Sequence, residues 1–287
     1  MRIVTDSATD TQLLHDKTIQ AEIVPLKVNL GEKIYRDRID ISPDAFYEAL
    51  ANSEDLPITS QPSVGEFEAV YRRLAKKDNQ ILSIHMSSGL SGTVNSAIQA
   101  AKLVPDADIT VVDTKTLSAA AGWQVQAAAH AIKLGWSKER ILAKLKEIAD
   151  TTSSLYTLKE LKYLIHGGRI SHIKGLIASV LHIKPMIGVD KVLGNYTQMG
   201  QARSFKKALD GLVDIIKNTI PSKEKLRVQV VHTGNLPGAN QLIEKINAIF
   251  QCEWLPVGQI SFVLGAHTGP SMVGVGFAPS SVFQELG

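Results

Sequence analysis

Residues 81–97, ILSIHMSSGLSGTVNSA, place three devices in a row: an apolar strand, a turn packed with hydroxyls and glycines, and a helix start. Ile81, Leu82, Ile84 and Met86 give an apolar run of the length of a buried strand. Ser87, Ser88, Gly89, Ser91, Gly92 and Thr93 follow, with nothing bulkier than Leu90 among them. Val94, Ala97, Ile98, Ala101 and Val104 then recur at helical spacing. A strand that ends in a small polar loop and opens a helix aims free backbone N–H groups and hydroxyls at one point, which suits a phosphate or a carboxylate. Ser91 or Thr93 acting only as a helix N-cap would account for the same residues.

Around this stretch the first half alternates strands and helices. Residues 2–5 form a short strand with the polar turn 6–10 directly after it, and 108–113 form another, ending at Asp113-Thr114. Residues 23–30 alternate as one strand before a turn at 31–33. Ser42-Pro43 opens a helix, and Ser63 with Glu66 makes a capping box for the next one. The connection between them, LPITSQPSVG at 56–65, gathers Thr59, Ser60, Gln61 and Ser63. An Ala-rich helix is expected over 118–134 and a further one from Ser137. This order predicts an α/β fold with a largely parallel sheet and helices on both faces, and the ligand at the carboxyl ends of the strands. The three polar turns, after Thr5, after Met86 and at Asp113, then all fall at that end.

The second half changes character. A short strand over 155–158 leads to a helix over 159–165 that stops at Gly167-Gly168, with Arg169 next. An apolar segment over 176–183 precedes a strand from Lys184-Pro185 and a hairpin corner at Gly194-Asn195. Phe205, Leu209, Leu212, Ile215 and Ile216 mark an amphipathic helix, then a strand over 228–231 ends at His232. A helix over 239–250, a strand pair around Val257 and Phe262, and the run GAHTGPSMVGVGF at 265–277 complete the chain. A boundary near 150–154 divides it into units 1–152 and 153–287.

At 287 residues, 44% hydrophobic and 21% charged, the composition is that of a globular protein. A net charge of +3 is too small to argue for nucleic acid. One cysteine, Cys252, excludes an internal disulfide. The opening MRIVTDSATD reads straight into a strand and a turn with no leader pattern, and no run approaches the roughly 18 apolar residues of a membrane span, so the expected compartment is the cytoplasm.

A phosphate-binding P-loop fails on SSGLSGT, which has no lysine to reach the phosphates. A serine hydrolase using Ser88 or Ser91 with His267 lacks the G-x-S-x-G elbow and would need a triad assembled from scattered residues. His166, His172 and His182 stand at no zinc-ligand spacing, and His85 reads as a packed strand residue. His267 sits in a Gly- and Thr-rich turn and is a candidate donor to an anion. Arg169 and Arg203, each beside a helix end, could form an anion-recognising surface.

VTDSATD at 4–10, TSQPSVGEF at 59–67, MSSGLSGTVNSA at 86–97, VVDT at 111–114, HGGRI at 166–170, KP at 184–185 and GAHTGPSMVGVGF at 265–277 together resemble the DegV family of bacterial fatty-acid-binding proteins, over nearly the whole length. The resemblance implies two α/β domains with an elongated apolar tunnel between them, holding one long-chain fatty acid of the palmitate or oleate class. It implies that Thr59, Ser91 and His267, with Ser60 and Ser88 as neighbours, hold the carboxylate, and that the protein carries or presents the acid for lipid metabolism without catalysis, metal or cofactor. In relatives that serve a separate ATP-dependent fatty acid kinase, the positions of Arg169 and Arg203 contribute to that step. Val94 stands where relatives often have an aromatic, and Gln201 where a lysine commonly precedes the arginine. A partner-binding regulator acting through Arg169 and Arg203 is the remaining alternative.

Overall fold

The structure is a computed structural model that describes residues 1–172, 183–221 and 223–286. The first half runs β1 (Arg2–Asp6), β2 (Ala21–Val24), β3 (Lys27–Leu30), β4 (Lys33–Arg36), helix α1 (Pro43–Ala51), β5 (Ile58–Ser60), α2 (Val64–Ala75), β6 (Gln80–His85), α3 (Thr93–Lys102), β7 (Asp108–Asp113), α4 (Ser118–Lys133) and α5 (Lys138–Thr151). Strands β2-β1-β6-β7 form a parallel sheet in that order. Successive strand residues face opposite ways. Val4 and Ile81 pack with Phe67, Tyr71 and Ala97 from α2 and α3, while Ile3 and Leu82 pack with Trp123, Val125 and Ile141 from α4 and α5. Helices therefore cover both faces, and the polar turns after β1, β6 and β7 meet at one end.

The strand expected over 23–30 is two. Pro25 cannot donate to a ladder, so the chain leaves the parallel sheet after Val24 and re-enters as β3 in a small antiparallel sheet, β4-β3-β5. Ser42 and Ser63 cap α1 and α2 as expected, Ser63 in a complete capping box. The cap of α3 is Gly92, not Ser91 or Thr93.

The second half runs β8 (Ser153–Thr157), α6 (Lys162–His166), β9 (Lys184–Val189), β10 (Tyr196–Ala202), α7 (Phe205–Thr219), β11 (Leu226–His232), α8 (Leu236–Asn247), β12 (Cys252–Trp254), β13 (Gly258–Gln259), α9 (Phe262–Thr268) and β14 (Val273–Pro279). Its sheet has the order β10-β9-β8-β14-β11-β12, with β13 also on β11. Only the pairings of β11 with β12 and β13 are parallel. The parallel expectation thus holds for the first sheet and fails for the second, where the last strand returns between β8 and β11 antiparallel to both. Phe262 opens a helix instead of closing a strand pair. Most of the apolar segment 176–183, with His182, lies outside the described residues.

Helix α4 lies against both sheets, touching β1 and β14. Its run of alanines follows from that position, since a helix buried on most sides between two layers needs small side chains. A Cβ at Gly122 would sit 2.5 Å from the Thr9 carbonyl oxygen. Trp123, fully buried, donates its indole N–H to Gln229 Oε1 on β11 at 2.9 Å. A separate core gathers Leu26, Val28, Phe46 and Leu90 from the first half with Tyr156, Leu164, Tyr196 and Leu264 from the second. The candidate site lies in it.

Candidate ligand-binding site

The SSGLSG loop is fastened at its base by Asp6, the last residue of β1. Asp6 Oδ2 accepts the Met86 backbone N–H at 2.9 Å and Oδ1 accepts that of Ala8 at 2.9 Å. His85 Nδ1 lies 3.1 Å from the same carboxylate, and its Nε2 meets Ser83 Oγ at 2.7 Å, with Tyr71 beyond. These groups are buried, so the chain Asp6–His85–Ser83–Tyr71 fixes the end of the sheet and is out of reach of any ligand.

From that end the loop turns Leu90 and Ser91 into a cavity of about 240 Å³, shared with Leu26, Thr59, Ser60, Gln61, Arg169, Tyr196 and His267. Ser91 Oγ accepts the Thr93 N–H at 3.3 Å and lies 2.8 Å from Thr93 Oγ1, at the opening of α3. Thr59 comes from β5, held opposite Val28 by the small sheet. Thr59 Oγ1 and His267 Nε2 are 2.8 Å apart.

His267 is not in a turn. It sits in the last turn of α9 with 7% of its surface exposed. Burial, then the positive charges of Arg169 and His166, push its imidazole down to about 3, so the ring is neutral near pH 7. Nδ1 lies against Gly167, where a Cβ would stand 2.1 Å away, and has no partner among the described residues. With the single ring proton on Nε2, His267 donates to Thr59 Oγ1 and the Thr59 hydroxyl is left to donate onward to an acceptor in the cavity.

Arg169 is the charged residue of the lining. It follows the positive-φ Gly168, and its guanidinium donates to the Gly167 carbonyl at 2.6 Å and the Leu90 carbonyl at 3.4 Å. This bridges the two halves of the chain across the cavity mouth. Ser60 lines the cavity as well. Ser88 does not. It is exposed on the outer side of the loop, with its hydroxyl donating to Asp113 Oδ2 and accepting from Lys115 Nζ at 3.4 Å. Burial would raise the Asp113 carboxyl, but the hydrogen bonds from Ser88 and Lys115 outweigh it and hold it low. Arg203 is exposed beyond the Ala202 end of β10, about 20 Å along the strand from Tyr196 at the other end. It does not line the cavity.

Asp6, Gln61, Leu90 and Tyr196 are residues that the sequence reading did not single out for the site. Asp6 carried a signal in its place at the end of a strand before a polar turn. Tyr196 carried none, since only the pairing of β9 with β10 brings it to the cavity. Behind Tyr196 and Leu264 lies a second, closed and apolar cavity, lined by Leu117, Tyr156, Leu158, Ile187 and Met272 among others. A larger cleft of about 510 Å³, between Arg2, Lys17 and Lys133, sits at the amino ends of the strands, away from all of these groups.

The protein is of the α/β class, and both halves of the chain line a cavity that sets hydroxyls, Arg169 and His267 beside apolar side chains. The chain belongs to the DegV family: the family model, described as an uncharacterised protein of that family, matches residues 1–280. A DegV domain-containing protein of Staphylococcus aureus (strain MRSA252) is 34% identical over 273 residues, 95% of this chain and 96% of that one. A solved DegV-family protein from Thermus thermophilus, described as fatty-acid-binding, superposes with a TM-score of 0.87 at 31% identity, over 97% of this chain and 100% of that one. DegV of Bacillus subtilis, described as a fatty acid binding protein, gives 0.87 at 30% identity over 97% and 98%. Among the described residues no group of acidic, His or Cys side chains is placed to hold a metal, and no helix is long and apolar enough to cross a membrane.

Proposed function

We propose that this protein binds one long-chain fatty acid of the palmitate or oleate class and carries or presents it for lipid metabolism, without catalysing a reaction itself. The observation that carries the reading is the convergence of Thr59, Ser60, Ser91, His267 and Arg169 on one cavity that borders an apolar one. In this reading Thr59 and Ser91 donate to the carboxylate, His267 orients Thr59, and Arg169 supplies the countercharge. A carboxylate taken out of water without such partners would be prohibitively costly. The acyl chain supplies the affinity, at about 0.8 kcal/mol for each buried CH₂. Units 1–152 and 153–287 act as two domains closing on the ligand from either side.

The hydrolase reading lacks a serine–histidine pair: His267 Nε2 is engaged by Thr59, Ser91 Oγ by Thr93, and the exposed Ser88 faces Asp113. For presentation to a separate ATP-dependent fatty acid kinase, the exposed Arg203 and the mouth residue Arg169 are the proposed contact surface. Native mass spectrometry of purified protein, with palmitate or oleate added after solvent extraction, tests the binding. The expected result is one acid per chain; protein that stays unliganded in both conditions would overturn it.

A further inference from the structure

The cavity that receives the polar head and the apolar cavity behind it have two lining residues in common, Tyr196 and Leu264. Both side chains are almost fully buried, at 8% and 4% exposure. The rear cavity is about 10 Å³, no more than the room one water needs, against about 240 Å³ in front. Its walls are mostly apolar, and the Thr268 hydroxyl is spent on the Leu264 carbonyl. No acyl chain fits a space of that size until something moves.

Tyr196 is the first residue of β10, directly after the hairpin corner that grips the carboxylate loop. Ser87 Oγ donates to the Gly194 carbonyl at 2.9 Å. A Cβ at Gly89 would stand 2.2 Å from Asn195 Oδ1 and 2.6 Å from the Leu193 carbonyl oxygen. The backbone of Tyr196 is thereby held in register with the loop that carries Ser91. Its ring lines both the rear cavity and the larger front one. Leu264 projects from α9, one turn before His267. The neck is therefore built from the same two elements that carry the head-binding groups.

We propose that Tyr196, with Leu264, is a gate within the lipid site, which the tail of a long acyl chain must turn aside to enter the rear cavity. The inference rests on the fatty-acid reading above. A short acid is accommodated in front of the gate, where it touches the Tyr196 ring without displacing it. A long one bears the cost of moving it, and Tyr196 discriminates by chain length and bulk.

Delipidated protein mixed with octanoate or palmitate and sampled over time by native mass spectrometry tests this. Tyr196→Ala and Leu264→Ala are expected to speed palmitate association up to about tenfold, the cost of holding a side chain off its rotamer, and Tyr196→Trp to slow it. Octanoate rates should shift much less than palmitate rates in all three variants, because the shorter chain does not have to pass between the two side chains. If Tyr196→Ala does not fold, the Trp and Leu264 variants still give opposite expectations. Equal shifts for both acids, or no shift for palmitate, would overturn the gate while leaving lipid binding intact. Failure of the wild-type protein to bind palmitate would instead overturn the fatty-acid reading.

Discussion

A carboxylate entering the front cavity meets donors of two kinds, and their loss should read out differently. Thr59 and Ser91 offer hydroxyls, each worth roughly 1.5–3 kcal/mol toward a charged acceptor, while Arg169 offers charge at the mouth. Thr59→Ala with Ser91→Ala should weaken palmitate by about 150-fold or more and its methyl ester by a few-fold, in parallel titrations. Equal losses would mean that the hydroxyls do not hold the carboxylate. Arg169→Gln should likewise act on the acid and spare the ester. A charged cluster lies at the start of α9, around its cap Ser261. Asp37 Oδ2 takes the Ser261 hydroxyl, and Asp10 accepts the Ser261 N–H at 2.7 Å and Arg38 at 3.0 Å. Burial pushes Asp37 up to about 7, with Asp10 adding to the rise and Ser261, Ser7 and Arg38 opposing it. A carboxyl raised on folding contributes its full stability below its ordinary value, near 3.8, and loses it as pH climbs to about 7. Between pH 5 and pH 8 that loss is roughly 2–3 kcal/mol. Asp37→Asn removes the titration, so its stability relative to wild type should improve by that amount from pH 5 to pH 8 in urea unfolding. A gap that does not change with pH would place the Asp37 pKa outside this window.

At the scale of elements, β6, its loop and α3 were legible because a buried strand, a run of small polar residues and a 3.6-residue period are all local signals. Helix α9 was not. FVLGAHT is short and apolar enough to read as a strand, and its helicity depends on distant partners. Ser261 Oγ accepts the Val263 N–H at 3.2 Å, and Gly265 lies so close to α1 that a Cβ would stand 2.1 Å from Tyr47 Oη. That misreading also placed His267 in a turn. Gly265→Ala should therefore cost about 1–3 kcal/mol from overpacking, because the buried Tyr47 ring has little room to yield. It should weaken fatty acid binding as well, by shifting His267 off Thr59. Unfolding and palmitate titration of this one variant check both, and an undisturbed titration would separate the packing of α9 from the site.

For the molecule as a whole, the parallel sheet could be read from alternation, but the second sheet could not. Placing β14 between β8 and β11 pairs residues more than a hundred positions apart at Val273 and Thr157, and no local period encodes such a pairing. The same non-local build binds the halves together. Arg227 of β11 lies over Phe283 at 4.4 Å and over Trp123 of α4 at 5.4 Å, and Trp123 reaches Gln229. Arg169 and the β9–β10 hairpin clasp the loop after β6 from the opposite side. A ligand held among residues of both halves binds only when both are folded, so its free energy adds to that of the whole chain. At a free concentration of about 100 times Kd the gain is roughly 2.7 kcal/mol, which for a chain of this size raises Tm by about 4–5 °C. Palmitate added to delipidated protein should produce that rise in a single calorimetric transition. A rise confined to one of two separate transitions would place the ligand within one half, and would contradict a site that Thr59 and Ser91 share with Arg169 and His267.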